Sequence, residues 1–318
     1  MAMVIFLWLD EVLSNLGAES FWLYPAVCVG FLSLSVWIVD CIHAGSSRYL
    51  AKRRPEVLPG FARLWPCCSW TPTSFADCRD LLVNVSHGVE ETGQTVKSQM
   101  QMHEFVDLLN SIDEHLGQLK GQPQGATAAA PATPYLKQLD LDVAMPSEGF
   151  AHSKRLESLD SGLRWWGTRV QTNFWMGSSG CLTGLHTDDE DNFLVQCHGT
   201  KRVCLFPPEC AKNLYVNAKY DSGTLCCDVD AFNPDYERHP LFHRVKSWEV
   251  VELNPGDVLF IPAFWWHSVL TTSRTSISLN SFVSRPSERL TRGVWRQLVH
   301  ICHLYLGYRK GNCVCHAS

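Results

Sequence analysis

The chain has 318 residues, a hydrophobic content of 46% and a formal net charge of −5, so it holds enough apolar material for one sizeable core. That balance excludes nucleic acid as the default partner, because phosphate backbones select for a basic excess and no Lys/Arg stripe interleaved with aromatics occurs. Fourteen cysteines scattered along the chain do not make the dense framework of a small secreted domain, and reduced thiols are expected.

Residues 1–44 read as an N-terminal hydrophobic segment. Within it, 21–39 (FWLYPAVCVGFLSLSVWIV) carries no charge over 19 residues, close to the roughly 20 needed to cross a bilayer core. Asp10, Glu11 and Glu19 precede this stretch, and Arg48, Lys52, Arg53 and Arg54 follow it. By the positive-inside rule, the chain is then membrane-anchored with its bulk in the cytosol. The acidic start also argues against a cleaved signal peptide. Pro25 and several serines suit a buried helical hairpin as well, and both readings stay open. The sequon Asn84, Val85, Ser86 offers a check, since a glycan on Asn84 would overturn the cytosolic topology.

Further on, Phe105, Leu108, Leu109, Ile112 and Leu116 recur at helical spacing, which predicts an amphipathic helix with a buried stripe. Residues 121–134 (GQPQGATAAAPATP) are aperiodic and Ala/Pro/Gly-rich, as in a surface loop. From Arg169 the character changes to short β-branched and aromatic runs: TNFWMG, NFLVQC, KRVCLFPP, WEVVEL and DVLFIPAFWW. This is an all-β pattern, and the last run is expected to carry an apolar strand up to His267. Asn254, Pro255, Gly256 and Asp257 form a turn between two of the runs, with Pro setting φ and Gly tolerating positive φ. In 285–318, Leu290, Val294, Leu298, Cys302 and Tyr305 mark a closing amphipathic helix that covers the barrel end or pairs two copies of the chain. The tail Cys313, Cys315, His316 resembles part of a zinc site but lacks a fourth ligand.

The chemistry gathers around TGLHTDDEDNFLVQCHGTKRVCLFPP, residues 183–208. If this stretch is extended, alternation puts His186 and Asp188 on one face and Thr187 and Asp189 on the other. A His-x-Asp tripeptide is weak evidence alone, since about one is expected by chance in a chain with this many histidines. His267 lies 79 residues beyond Asp188, far enough for a barrel to return it to the same place. Two histidines and one carboxylate form the facial triad of non-haem Fe(II) oxygenases, which leaves coordination positions open. Taken singly, His267 would suit a core histidine beside Trp265 and Trp266, and Asp188 a solvated carboxylate.

This stretch, followed by LNPGDVLFIPAFWWHSV and SISLNSF, resembles the JmjC/cupin-like (Cupin_8) Fe(II)/2-oxoglutarate oxygenases. It is most similar to their small hydroxylase branch, which includes the hypoxia-inducible factor asparaginyl hydroxylase and the tRNA wybutosine hydroxylase. RRPEVLPGFARLWPCCSWTPTSF and YLKQLDLD resemble the branch's entry segments, so the likeness covers about 45–284. It implies a mainly β, double-stranded β-helix (jelly-roll) domain with flanking helices. It implies iron ligands His186, Asp188 and His267, and 2-oxoglutarate and O2 as co-substrates. It further implies that Lys201 pairs with the distal carboxylate of 2-oxoglutarate, that Thr183 and Tyr135 bond that carboxylate, and that Asn192 and Asn280 lie near the chelating end. The chain departs from several relatives in having Phe282 where they carry tryptophan.

The activity so implied is hydroxylation of a protein side chain; lysine demethylation and tRNA-base hydroxylation are alternatives within the class. No reader-like cysteine array accompanies the domain, an anchor suits chromatin poorly, and the charge balance disfavours tRNA. A non-catalytic, membrane-tethered binding module is the alternative of another class. Against it stands the cost of retaining a buried lysine and a metal set without a ligand to pair them.

Overall fold

The structure is a computed structural model that describes residues 53–92, 94–119, 133–157, 169–284, 286–310 and 313. The candidate anchor 21–39, most of the 121–134 loop, and Cys315 and His316 of the tail lie outside the described residues. No helix among the described residues is long and apolar enough to cross a membrane.

The β-branched and aromatic runs form strands β1 (Glu56–Leu58), β2 (Leu82–Val89), β3 (Gln94–Gln101), β4 (Pro134–Asp140), β5 (Arg169–Ser178), β6 (Leu182–Asp188) and β7 (Asp191–His198). They continue as β8 (Lys201–Phe206), β9 (Thr224–Cys226), β10 (Glu249–Leu253), β11 (Val258–Ile261), β12 (Trp266–Thr271) and β13 (Thr275–Ser284). Eight strands make one sheet in the order β1-β11-β7-β13-β5-β4-β2-β3, and five make a second in the order β10-β8-β12-β6-β9. The strand pairings among the described residues are antiparallel in both sheets. This is the mainly β jelly-roll arrangement that the sequence implied.

The predicted amphipathic helix is α1 (Met102–Leu119), with Phe105 and Leu109 fully buried. They join Phe174, Phe193 and Phe260 in the core behind the larger sheet. Each such side chain contributes roughly 1.5–3 kcal/mol by leaving water. Two short helices, α2 (Leu141–Ala144) and α3 (Pro146–Leu156), flank β4, and the Asp140 carboxylate caps α2 by accepting from the Asp142 and Val143 N–H groups. The closing helix is α4 (Pro286–Leu306).

Two boundaries differ from expectation. Pro134 belongs to β4 and not to the loop before it. The expected strand through IPAFWW breaks: β11 ends at Ile261, Pro262 brings no N–H to a ladder, Phe264 takes φ +70°, and β12 starts at Trp266. The turn is held by the Ala263 N–H donating to the Asp191 carboxylate (2.8 Å) and the Phe264 N–H donating to the Asp188 carbonyl (2.7 Å). It therefore sets where β12 begins, and so where His267 points.

Candidate functional site

All eight residues singled out in the sequence line one cleft, whose open volume including the solvent at its mouth is about 730 Å3. The smaller sheet supplies His186, Asp188 and Thr183 from β6, Lys201 from β8 and His267 from β12. The larger sheet supplies Tyr135 from β4, Asn192 from β7 and Asn280 from β13.

His186 and His267 sit directly opposite each other across the β6–β12 pair, so their imidazoles share a face, with ring centroids 4.2 Å apart. Asp188 is two residues along β6 on that same face. Its Oδ2 lies 3.6 Å from His186 Nε2 and 3.7 Å from His267 Nε2. His186 Nδ1 is 2.7 Å from the Gly184 carbonyl and His267 Nδ1 is 3.0 Å from the Trp265 carbonyl. A carbonyl only accepts, so each Nδ1 carries the proton and each Nε2 offers its lone pair to the shared centre. Burial is the main cause that pushes His267 down to about 4, so it is a neutral ligand at physiological pH. The Thr224 hydroxyl on β9 donates to Asp188 Oδ1 at 2.8 Å, which leaves Oδ2 for the centre. The three donor atoms lie within 4.8 Å of one another and can hold a metal ion. Two imidazoles and one carboxylate fit the donor preference of non-haem Fe(II).

Thr183 would face away from His186 in a regular strand, because it lies three positions before it. The β6–β12 register shifts between the His267–His186 and Val269–Thr183 pairs, and this irregularity brings both into the cleft. Gly184 sits inside it. A Cβ there would come within 2.8 Å of Glu91 Cβ, so the close approach of that segment requires glycine.

On β8, Leu205 pairs with His267, and Lys201 lies four residues further along on the same face, roughly 13 Å of strand at 3.3 Å per residue. Lys201 is 2% exposed, and its Nζ donates to the Tyr135 hydroxyl at 2.9 Å. Burial pushes the Lys201 ammonium down to about 8, and burial likewise raises the Tyr135 phenol, so it stays protonated. Tyr135 packs so close to β5 that a Cβ on Gly177 would meet its ring at 2.7 Å. Asn192 is buried with its side-chain oxygen unpartnered among the described residues, and Asn280 accepts from the Trp175 indole N–H.

Sequence reasoning passed over four residues here. Thr224 orients Asp188. Trp175 holds Asn280 and packs on Tyr135 at 5.7 Å. Lys137 and Glu91 form a buried pair at 3.6 Å, and Glu91 also accepts from the Gly184 N–H at 2.8 Å. Burial works to raise the Glu91 carboxyl, but Lys137, His186 and the Gly184 N–H outweigh it and hold it below its ordinary value. Strand alternation could have found Lys137, two residues after Tyr135, whereas Trp175 lies on β5, which carries none of the expected site residues. Thr224 and Glu91 carry no such signal.

The model of the cupin-like domain family matches residues 43–289. The chain belongs to the cupin-like domain family. JmjC domain-containing protein D of Dictyostelium discoideum is 28% identical over 241 residues, covering 72% of this chain and 51% of that protein. HSPB1-associated protein 1 of Rattus norvegicus is 35% identical over 134 residues, covering 41% and 28%. The tRNA wybutosine-synthesizing protein 5 of Gallus gallus is 41% identical over 109 residues, covering 34% and 32%. The matched part of this chain thus spans about half or less of the length of each of these relatives.

Proposed function

We propose that this chain is an Fe(II)- and 2-oxoglutarate-dependent dioxygenase that hydroxylates a protein side chain. One observation supports the reading above all: a His186–Asp188–His267 group and the buried Lys201–Tyr135 pair line a single cleft. A dicarboxylate needs a metal at its keto-acid end and a cation at the other, and this cleft offers both.

His186, Asp188 and His267 hold the iron, which supplies activation of O2 coupled to decarboxylation of 2-oxoglutarate to succinate and CO2. Lys201 and the Tyr135 and Thr183 hydroxyls bind the distal carboxylate, whose charge replaces the hydration that Lys201 lost on burial. Asn192 and Asn280 orient the keto-acid end. The apolar side chains of Ile261, Val269 and Phe282 at the cleft wall exclude water.

A protein substrate is supported by the chain's acidic balance and by a relative named for association with another protein. A substrate trapped with an inactive variant is then given to the wild-type protein: mass gain of one oxygen supports hydroxylation, whereas loss of a methyl group would identify a demethylase. His186→Ala should abolish 2-oxoglutarate turnover; turnover at the wild-type rate would rule out the reading. The proposal includes a second copy of the chain as partner, because α4 leaves Leu290, Val294, Leu298, Ile301 and Tyr305 exposed on one stripe. A monomeric mass in solution would remove that part. Attachment to a membrane through 21–39, with the catalytic domain in the cytosol, is tested by fractionation of cells expressing the chain with and without that segment.

A further inference from the structure

We propose that Cys67, Cys68 and Cys197 form a second metal site, separate from the histidine–aspartate group, that takes one thiophilic d10 ion, Zn2+ or Cu+. Cys67 and Cys68 are neighbours in the 3-10 turn Pro66–Ser69, and Cys197 is near the end of β7, so two distant pieces of chain meet there. The three sulfurs lie within 4.8 Å of one another, and all are free thiols. A metal–sulfur bond of about 2.3 Å in a tetrahedral site separates its sulfurs by about 3.8 Å, so the cluster closes on an ion with shifts of about 1 Å or less.

The surroundings suit such an ion. Cys67 and Cys197 are buried in the core, while Cys68 is half-buried and gives the ion a path from solvent. A single buried cysteine is explained as a small core side chain. Three converging sulfurs have a further common use, because a disulfide would take only two of them. No histidine, aspartate or glutamate joins the group among the described residues. Three thiolates suit Cu+ as they stand, and Zn2+ completes its shell with solvent on the Cys68 side. Zn2+ with three thiolates carries one net negative charge, and the Arg155 guanidinium acts on Cys67 to offset it. The ion would fasten the entry segment to β7, the strand that carries Asn192 at its opposite end.

The test uses the full-length, reduced protein stripped of metal and loaded with Co2+. Thiolate-to-cobalt charge-transfer absorption in the near ultraviolet is expected, since imidazole and carboxylate ligands do not produce it. His186→Ala should keep the band, whereas Cys197→Ser and Cys68→Ser should lose it. Cys68 is half-buried, so the Cys68→Ser variant is the one to read if Cys197→Ser fails to fold. Adding Zn2+ or Cu+ to the stripped His186→Ala protein tells the two ions apart: the resident ion raises Tm by about 5 °C or more at a hundredfold excess over its Kd. Absence of the band in the wild type, its survival in folded Cys68→Ser, or no rise in Tm with either ion overturns the site.

Discussion

The two ends of the cleft hold charge in opposite ways. At the histidine end, every group is braced by the protein: both Nδ1 atoms face carbonyls and Thr224 donates to Asp188. At the lysine end, Lys201 is more deeply buried than Asp188, yet among the described residues it donates to one neutral phenol. The braced end is pre-organised for an ion, while at the lysine end the proposed reading has an anion complete the site. Pre-organisation and unmet charge are therefore divided between the two halves of one site.

That contrast can be broken most sharply at the braced end. Asp188→Ala should lower 2-oxoglutarate turnover by well over a hundredfold and release metal, read by decarboxylation and bound-iron analysis, because losing a ligand exceeds the 10–100-fold typical of outer partners. At the other end, Lys201→Ala should raise the KM for 2-oxoglutarate by about a hundredfold and leave bound iron unchanged, as expected for losing a hydrogen bond to a charged group. If it releases iron instead, the two ends are not separable.

pH sharpens the same division. On the proposed function the cationic form of Lys201 binds the carboxylate, and burial lowers its pKa to about 8. The KM should be flat below pH 8 and rise about tenfold per unit above it. The sign for stability is opposite: the folded value lies below the ordinary 10.5, so the metal-free, ligand-free protein gains stability from this group as pH rises from about 8 towards 10.5. A pH series of KM and Tm checks both. Smaller effects come from the outer partners. Thr224→Val should weaken iron binding by about tenfold with the 2-oxoglutarate KM unchanged, whereas Tyr135→Phe should raise that KM about fivefold with iron unchanged.

The acidic run at 188–191 illustrates what a sequence pattern leaves open. Read alone, DDED is a solvated charge cluster. In the fold, Asp188 joins the histidines, Asp189 and Glu190 bind Arg296 of α4, and Asp191 takes the Ala263 N–H, so four adjacent carboxylates serve three different elements. Alternation put His186 and Asp188 on one face correctly because β6 stays regular over those three residues, and Asp189 lies just past its end. It could not place Thr183, since the register shift beside Gly184 is a property of the strand pair. Nor could it foresee the break at Pro262–Trp265, where the Ala263 and Phe264 N–H groups are satisfied by residues far away in sequence.

By itself the sequence determined the local matters: the strand and helix periods, the shared face of His186 and Asp188, and the residue types that suit an Fe(II) and 2-oxoglutarate site. These depend on neighbours a few positions apart, where backbone geometry leaves little choice. The tertiary structure alone decided that His267 lies opposite His186, that Thr224 braces Asp188, that Glu91 pairs with Lys137, and that three cysteines meet. Those outcomes follow from strand pairing and sheet order, which join residues whose separation along the chain carries no periodic signal.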